Sequence, residues 1–201
     1  MSDFNSYGLN PLILKAIASI DYRIPTPIQK ESIPYLMDKK DLLGIAQTGT
    51  GKTAAFSLPI IHHLITNKIK TRPARVRCLI LTPTRELASQ IDENIKCFSK
   101  GFKFFSAVIF GGVGYRPQIQ KMSRGADILV ATPGRLLDLM GDGHVLFEQL
   151  EYFVLDEADR MLDMGFSRDV SKIISKLPSK RQTLLFSATM PSSIMELADN
   201  L

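Results

Sequence analysis

Six short apolar runs, rich in β-branched residues, recur along this chain at 42–46, 78–82, 107–110, 127–131, 152–156 and 183–187. Continuous runs of this length suit strands buried on both faces. Segments with helical spacing of apolar residues lie between them: Leu58, Ile61, His62 and Ile65 after the first run, then Leu87, Ile91 and Ile95 after the second. Strands that alternate with helices build βαβ units, hence a parallel sheet with helices on both faces. Two helices are expected before the first strand, one over 9–20 and one beginning near Pro27, where proline suits a first helical turn. A final helix is expected over 192–201. The 201 residues, 45% hydrophobic and without internal repeats, are enough for one core, so the reading is one α/β domain over 1–201.

No apolar run is long enough to cross a bilayer, and Met1-Ser2-Asp3 opens no signal-peptide pattern, so a cytoplasmic protein without a membrane partner is expected. Cys78 and Cys97 have neither metal-ligand spacing nor the number for a disulfide framework, and both read as packing residues. The net charge of +5 permits a polyanionic partner without requiring one. The densest basic stretch, Lys68, Lys70, Arg72, Arg75 and Arg77, contains no acid and reads as a solvated surface connection.

After the first strand comes Gln47-Thr48-Gly49-Thr50-Gly51-Lys52-Thr53, followed by helical sequence from Ala54. Strand, glycine-bearing loop and helix are the context a phosphate-binding loop requires. Its glycines let successive N–H groups converge on phosphate oxygens, and the helix start adds the positive end of its dipole. Lys52 supplies a cation for the β- and γ-phosphates and Thr53 a hydroxyl for magnesium. Ala46 stands where the general pattern has glycine. The run 152–155 leads straight into Asp156-Glu157-Ala158-Asp159, placing two carboxylates at the carboxyl end of a buried strand. Asp156 suits magnesium, a hard cation that keeps several waters, and Glu157 is placed to orient and deprotonate an attacking water. Taken alone, this acidic cluster also fits a helix N-cap.

Asp156-Glu157-Ala158-Asp159, with the phosphate loop before it, resembles the signature of the DEAD-box RNA helicases, and further motifs occur in that family's order. The resemblance covers nearly the whole chain and implies a RecA-like domain that uses ATP/ADP with Mg²⁺. Ile24-Pro25-Thr26-Pro27-Ile28-Gln29 is similar to the family's adenine-recognition segment, with Phe4 as the isolated aromatic ahead of it. A glutamine amide offers one donor and one acceptor, which match the adenine N7 and N6 groups. Ile24, Thr26, Gln29 and a stacking Phe4 are therefore the expected adenine contacts. Asp21 departs from the family's usual glycine at a position that is not a ligand contact.

Pro83-Thr84-Arg85, Gly111-Gly112 and Thr132-Pro133-Gly134-Arg135 resemble the family's RNA-contacting motifs, each just after an expected strand. Threonine hydroxyls, helix-start amides and a guanidinium grip phosphates without reading base edges, which implies binding to the RNA backbone without sequence preference. Arg85 also has an internal role by resemblance. Ser187-Ala188-Thr189 resembles the coupling motif, and Ser187 and Thr189 are expected to reach Asp159. The run 160–166 is similar to bacterial members of the ribosomal-RNA helicase E type. The family works through two RecA-like domains, so a second domain of the same protein is the implied partner, and hydrolysis by this part alone should be slight. An ATP-gated RNA clamp is the alternative reading of the same motifs.

Overall fold

The computed structural model describes residues 3–201; the first two residues of the start read above for a signal peptide lie outside them. Asp3 caps a short 3₁₀ turn, Phe4–Tyr7, and two helices follow, α1 (Pro11–Ala18) and α2 (Pro27–Met37). The remaining order is β1 (Leu42–Ile45), α3 (Lys52–Thr66), β2 (Val76–Leu81), α4 (Arg85–Phe98), β3 (Ser106–Ile109), α5 (Tyr115–Met122) and β4 (Ala126–Ala131). It continues with α6 (Pro133–Gly141), β5 (Tyr152–Leu155), α7 (Ala158–Asp163), α8 (Ser167–Ile174), β6 (Gln182–Ser187) and α9 (Ser192–Asp199). All six expected strands are present. They form one sheet in the order β1-β6-β5-β2-β4-β3, and each pair is parallel.

Alternate residues of the central strands face opposite sides, so the sheet divides the interior in two. Cys78, Ile80, Ile128 and Val130 pack with Phe56, Ile61, Ile91 and Ile95 from α3 and α4. Leu79, Leu81, Leu129 and Ala131 pack with Leu136, Met161, Val170 and Ile194 from α6 to α9. Burial on both faces is why these strands read as unbroken apolar runs.

Because every strand runs the same way, all six carboxyl ends share one edge, where ligands of open α/β sheets bind. Along that edge the strand order places the loops after β1, β6 and β5 in one half and those after β2, β4 and β3 in the other.

Two sequence readings need correction. Arg77 is not part of a solvated connection: it sits at the start of β2 with 2% exposure. Its Nε donates to Glu151 at 2.7 Å, and its remaining donors reach the Leu64 and Asn67 carbonyls, each at 2.9 Å. The guanidinium is buried because it ties the end of α3 and the following loop to the amino-terminal edge of the sheet, with every direction of its fork used. Cys97 is exposed on α4 whereas Cys78 is buried, so only Cys78 is a packing residue.

Candidate active site

The phosphate loop bends back because Gly49 and Gly51 adopt φ of 85° and 95°. At Gly51 a Cβ would also come within 2.5 Å of the Gln29 amide nitrogen, so a side chain is excluded by conformation and by contact alike. Thr50 ties the turn by donating from its hydroxyl to the Gln47 carbonyl at 2.7 Å. Gln47, Thr48 and Gly49 are exposed, and Thr53 is half-buried one residue into α3.

Lys52 is the first residue of α3 and only 5% exposed, yet its ammonium donates to no protein atom. Its nearest charge is the Asp156 carboxylate at 3.6 Å, an ion-pair distance too long for a hydrogen bond. A buried cation with its donors free costs stability unless an anion completes its shell, and the converging backbone of this loop is suited to a phosphate.

Asp156 directly follows β5 and has 2% exposure. Burial pushes its pKa up to about 6 against the opposing pull of Lys52. A further cation beside it would offset that cost, and with the Thr53 hydroxyl this donor set fits magnesium. Among the described residues no three His, Cys, Asp or Glu side chains converge on a metal, so such a cation would draw most ligands from phosphate and water.

Glu157 is buried and holds φ 53°, ψ 50°, the left-handed region that few non-glycine residues enter. The Thr48 hydroxyl donates to one carboxylate oxygen at 2.8 Å and Arg160 donates to the other at 3.1 Å. The strained backbone aims this carboxylate across the edge at the phosphate loop, a contact spanning 109 residues that no local pattern announces. Asp159 meets both residues expected to reach it. The Thr189 hydroxyl and amide each donate to its carboxylate at 2.9 Å, and its own amide donates to the Ser187 hydroxyl at 3.3 Å. Burial acts to raise the Asp159 pKa, but these bonds outweigh it and hold the carboxyl below its usual range.

The adenine segment differs from expectation in two respects. Phe4 has 3% exposure, its ring packed against Tyr7 and Tyr22, so it presents no free face to a base. The amphipathic 3₁₀ turn folds Phe4 inward, and the apolar surface left open in this segment is Ile24, 72% exposed. Gln29 is fully buried with its amide engaged inside the protein. It donates to the Gly51 carbonyl at 3.0 Å and to the Tyr22 hydroxyl at 3.3 Å, while its oxygen accepts from the Thr26 amide at 3.0 Å. Gln29 thus links the start of α2 to the phosphate loop; reading adenine requires its amide to exchange these partners. The Thr26 hydroxyl beside it is buried without a partner.

The other half of the edge gathers the remaining motifs. Thr84 caps α4, its oxygen accepting from the Leu87 amide at 3.3 Å, which leaves its O–H free to donate. Arg85 is exposed and pairs with its neighbour Glu86 at 2.7 Å, and its guanidinium lies near Gly112. Arg135 donates to the Val113 carbonyl at 3.2 Å, drawing the exposed Gly111-Gly112 loop to the start of α6. Pro83, Thr132 and Pro133 are buried, so surface contact in these motifs falls to Thr84, Arg85, Gly111, Gly112, Gly134 and Arg135.

The DEAD/DEAH box helicase family matches residues 26–197, most of the chain and every motif described above except Phe4 and Ile24. The chain belongs to this family. As a DEAD-box family member it is similar to the ATP-dependent RNA helicase dbp10 of Schizosaccharomyces pombe, with 46% identity over 98% of the chain and 23% of that protein. The ATP-dependent RNA helicase DeaD of Buchnera aphidicola is likewise 46% identical, over 98% of the chain and 32% of that protein. A crystal structure of a DEAD box protein from the hyperthermophile Methanococcus jannaschii superposes with a TM-score of 0.89 at 40% identity, covering 98% of this chain and 53% of the other. The DEAD-box chain therefore spans a third or less of these two curated relatives. Equal identity to fungal and bacterial helicases does not single out the bacterial subgroup.

Proposed function

We propose that this chain is the first RecA-like domain, over 1–201, of a cytoplasmic ATP-dependent RNA helicase. It binds ATP on the β1-β6-β5 half of the edge and the RNA backbone on the β2-β4-β3 half. The observation that carries the nucleotide assignment is the buried Lys52 ammonium at the phosphate loop, which donates no hydrogen bond and faces Asp156 at 3.6 Å. Loop amides from Gln47 to Thr53 cradle the phosphates, Lys52 takes the β- and γ-oxygens, and Ile24, Thr26 and Gln29 face the base. Thr53 and Asp156 would hold magnesium, which when bound offsets charge on the phosphate oxygens. Phosphate entering beside Thr48 frees the Glu157 carboxylate from the Thr48 hydroxyl, and Glu157 then orients the attacking water and accepts its proton. Asp159, through Ser187 and Thr189, relays nucleotide state to the RNA half of the edge. A second RecA-like domain closes on both halves, and an arginine from it would supply roughly 10³ to 10⁵ in rate, so this part alone turns over slowly.

Calorimetry with ATP and magnesium tests the reading. Lys52→Ala should weaken binding at least tenfold, the loss of charge-assisted bonds of about 1.5–3 kcal/mol. Undiminished affinity would sink the phosphate-loop assignment. Duplex unwinding by the longer protein distinguishes a helicase from an RNA clamp, and the relatives' names, all RNA helicases, support the former.

A further inference from the structure

The opposite, amino-terminal edge of the sheet carries a concentration of cations that the nucleotide and RNA assignments do not use. Lys68, Lys70 and Arg72 lie before β2, Lys100 and Lys103 before β3, and Lys121 and Arg124 before β4; all seven are exposed. The loops before β2, β3 and β4 are fastened together. Thr71 donates to the Asp127 carboxylate at 2.9 Å, whose other oxygen accepts from the Phe105 amide at 2.9 Å. At Gly125 a Cβ would come within 2.2 Å of the Arg72 carbonyl, so the loops before β2 and β4 meet backbone to backbone. Arg124 lies over the Phe105 ring, 3.2 Å from its centroid.

Among the described residues, none of these seven cations has a carboxylate within ion-pair distance. The local acids are already committed: Glu151 to Arg77, Glu148 to Arg75 and Asp127 to Thr71 and Phe105. The result is an unneutralised positive surface at the far ends of β2, β4 and β3, the same three strands whose carboxyl ends carry Arg85, Gly111-Gly112 and Arg135. A six-residue strand spans about 20 Å, so the two surfaces are separate sites on one nucleic acid rather than one groove.

We propose that this edge is a second RNA-backbone surface, which holds a distal segment of an RNA already engaged at the motif edge. Five of the seven cations are lysine, one of the residues depleted from protein–protein interfaces and a common phosphate contact. The inference rests on the RNA reading above for the first site but not for its own chemistry.

The test uses the chain with Lys68→Gln, Lys70→Gln and Lys103→Gln together, all exposed and outside the nucleotide site and the motif edge. Binding is measured by fluorescence anisotropy for a short single strand and for a long one across a salt series. An unchanged melting temperature shows that the variant is folded. The long RNA should bind more weakly by tenfold or more, and its log–log salt slope should fall by about 2, three charges at roughly 0.7 each. The short strand should be unaffected, and Arg135→Ala should weaken it instead. Equal effects on both lengths, or none on the long RNA, would overturn the second surface. So would tighter binding of polyglutamate than of RNA to this edge at equal charge, which marks an acidic protein as the occupant. Failure of the short strand to respond to Arg135→Ala counts against the motif-edge reading alone.

Discussion

Glu157 carries both strain and chemistry. Its left-handed backbone costs on the order of 1 kcal/mol, and bonds from Thr48 and Arg160 hold it there. If this carboxylate is the general base, Glu157→Gln should leave nucleotide affinity nearly intact and lower turnover of the longer protein by roughly 10²- to 10⁴-fold. Steady-state ATP hydrolysis beside calorimetry separates the two effects, and near-normal turnover would remove Glu157 from the role. Gln29 makes a two-part prediction, since its amide is built into the fold. Gln29→Ala should lower the unfolding free energy by about 1–3 kcal/mol, because the Gly51 carbonyl and Thr26 amide lose a buried partner. It should also shrink the preference for ATP over GTP. Lost stability with an unchanged nucleotide ratio would leave Gln29 a structural residue only.

At the scale of elements, α2 and α3 meet through histidine. The His63 ring stacks on Tyr152 at an interplanar angle of 3°, and its Nε2 lies 3.2 Å from the Leu36 carbonyl. Burial lowers the pKa of His63, and burial together with its neighbour lowers that of His62. A histidine whose folded pKa lies below its unfolded value of about 6.5 resists protonation more in the native state than in the unfolded chain, so its contribution is complete above that value. The contribution is lost as pH falls below it. Between about pH 7 and pH 5.5, urea midpoints of the native chain should therefore fall more steeply than those of His63→Gln, and parallel curves would refute this. The six strands and the longer helices α2, α3 and α4 are legible from period and breakers. The helices α1 and α9 and the start of α6 are read as well, whereas α5, α7 and α8 are not, because segments of six to eight residues carry little periodic pattern unless a proline or capping signal marks them. Asp21 has a related explanation: its φ of 57° is left-handed, which accounts for a glycine preference there without any ligand.

Across the whole molecule, the parallel sheet puts chemistry on one edge and structural charge on the other. Arg77 is the main anchor of the second edge, and Arg77→Ala would strand the buried Leu64 carbonyl, the part-buried Asn67 carbonyl and the Glu151 carboxylate. We expect a loss of about 3–5 kcal/mol in denaturant-derived stability with an unchanged m-value. Arg77→Lys should recover only part of it, since one ammonium cannot span a fork. A loss below about 1 kcal/mol would show that water replaces the network.

By itself the sequence determined the parallel α/β architecture, the phosphate loop and the acidic box, because these depend on local pattern: unbroken apolar runs, glycines before a helix, and carboxylates at a strand end. It also yielded the pairing of Asp159 with Ser187 and Thr189, by resemblance. Only the tertiary structure decided which cations are buried and which free. Arg77 and Lys68 belong to one basic stretch, yet one is fully bonded within the core and the other exposed. Strand order decided that the loops after β1, β6 and β5 lie together although far apart in sequence. It likewise brought Thr48 to Glu157 and turned Phe4 inward, contacts set by packing between distant segments that no window of sequence contains.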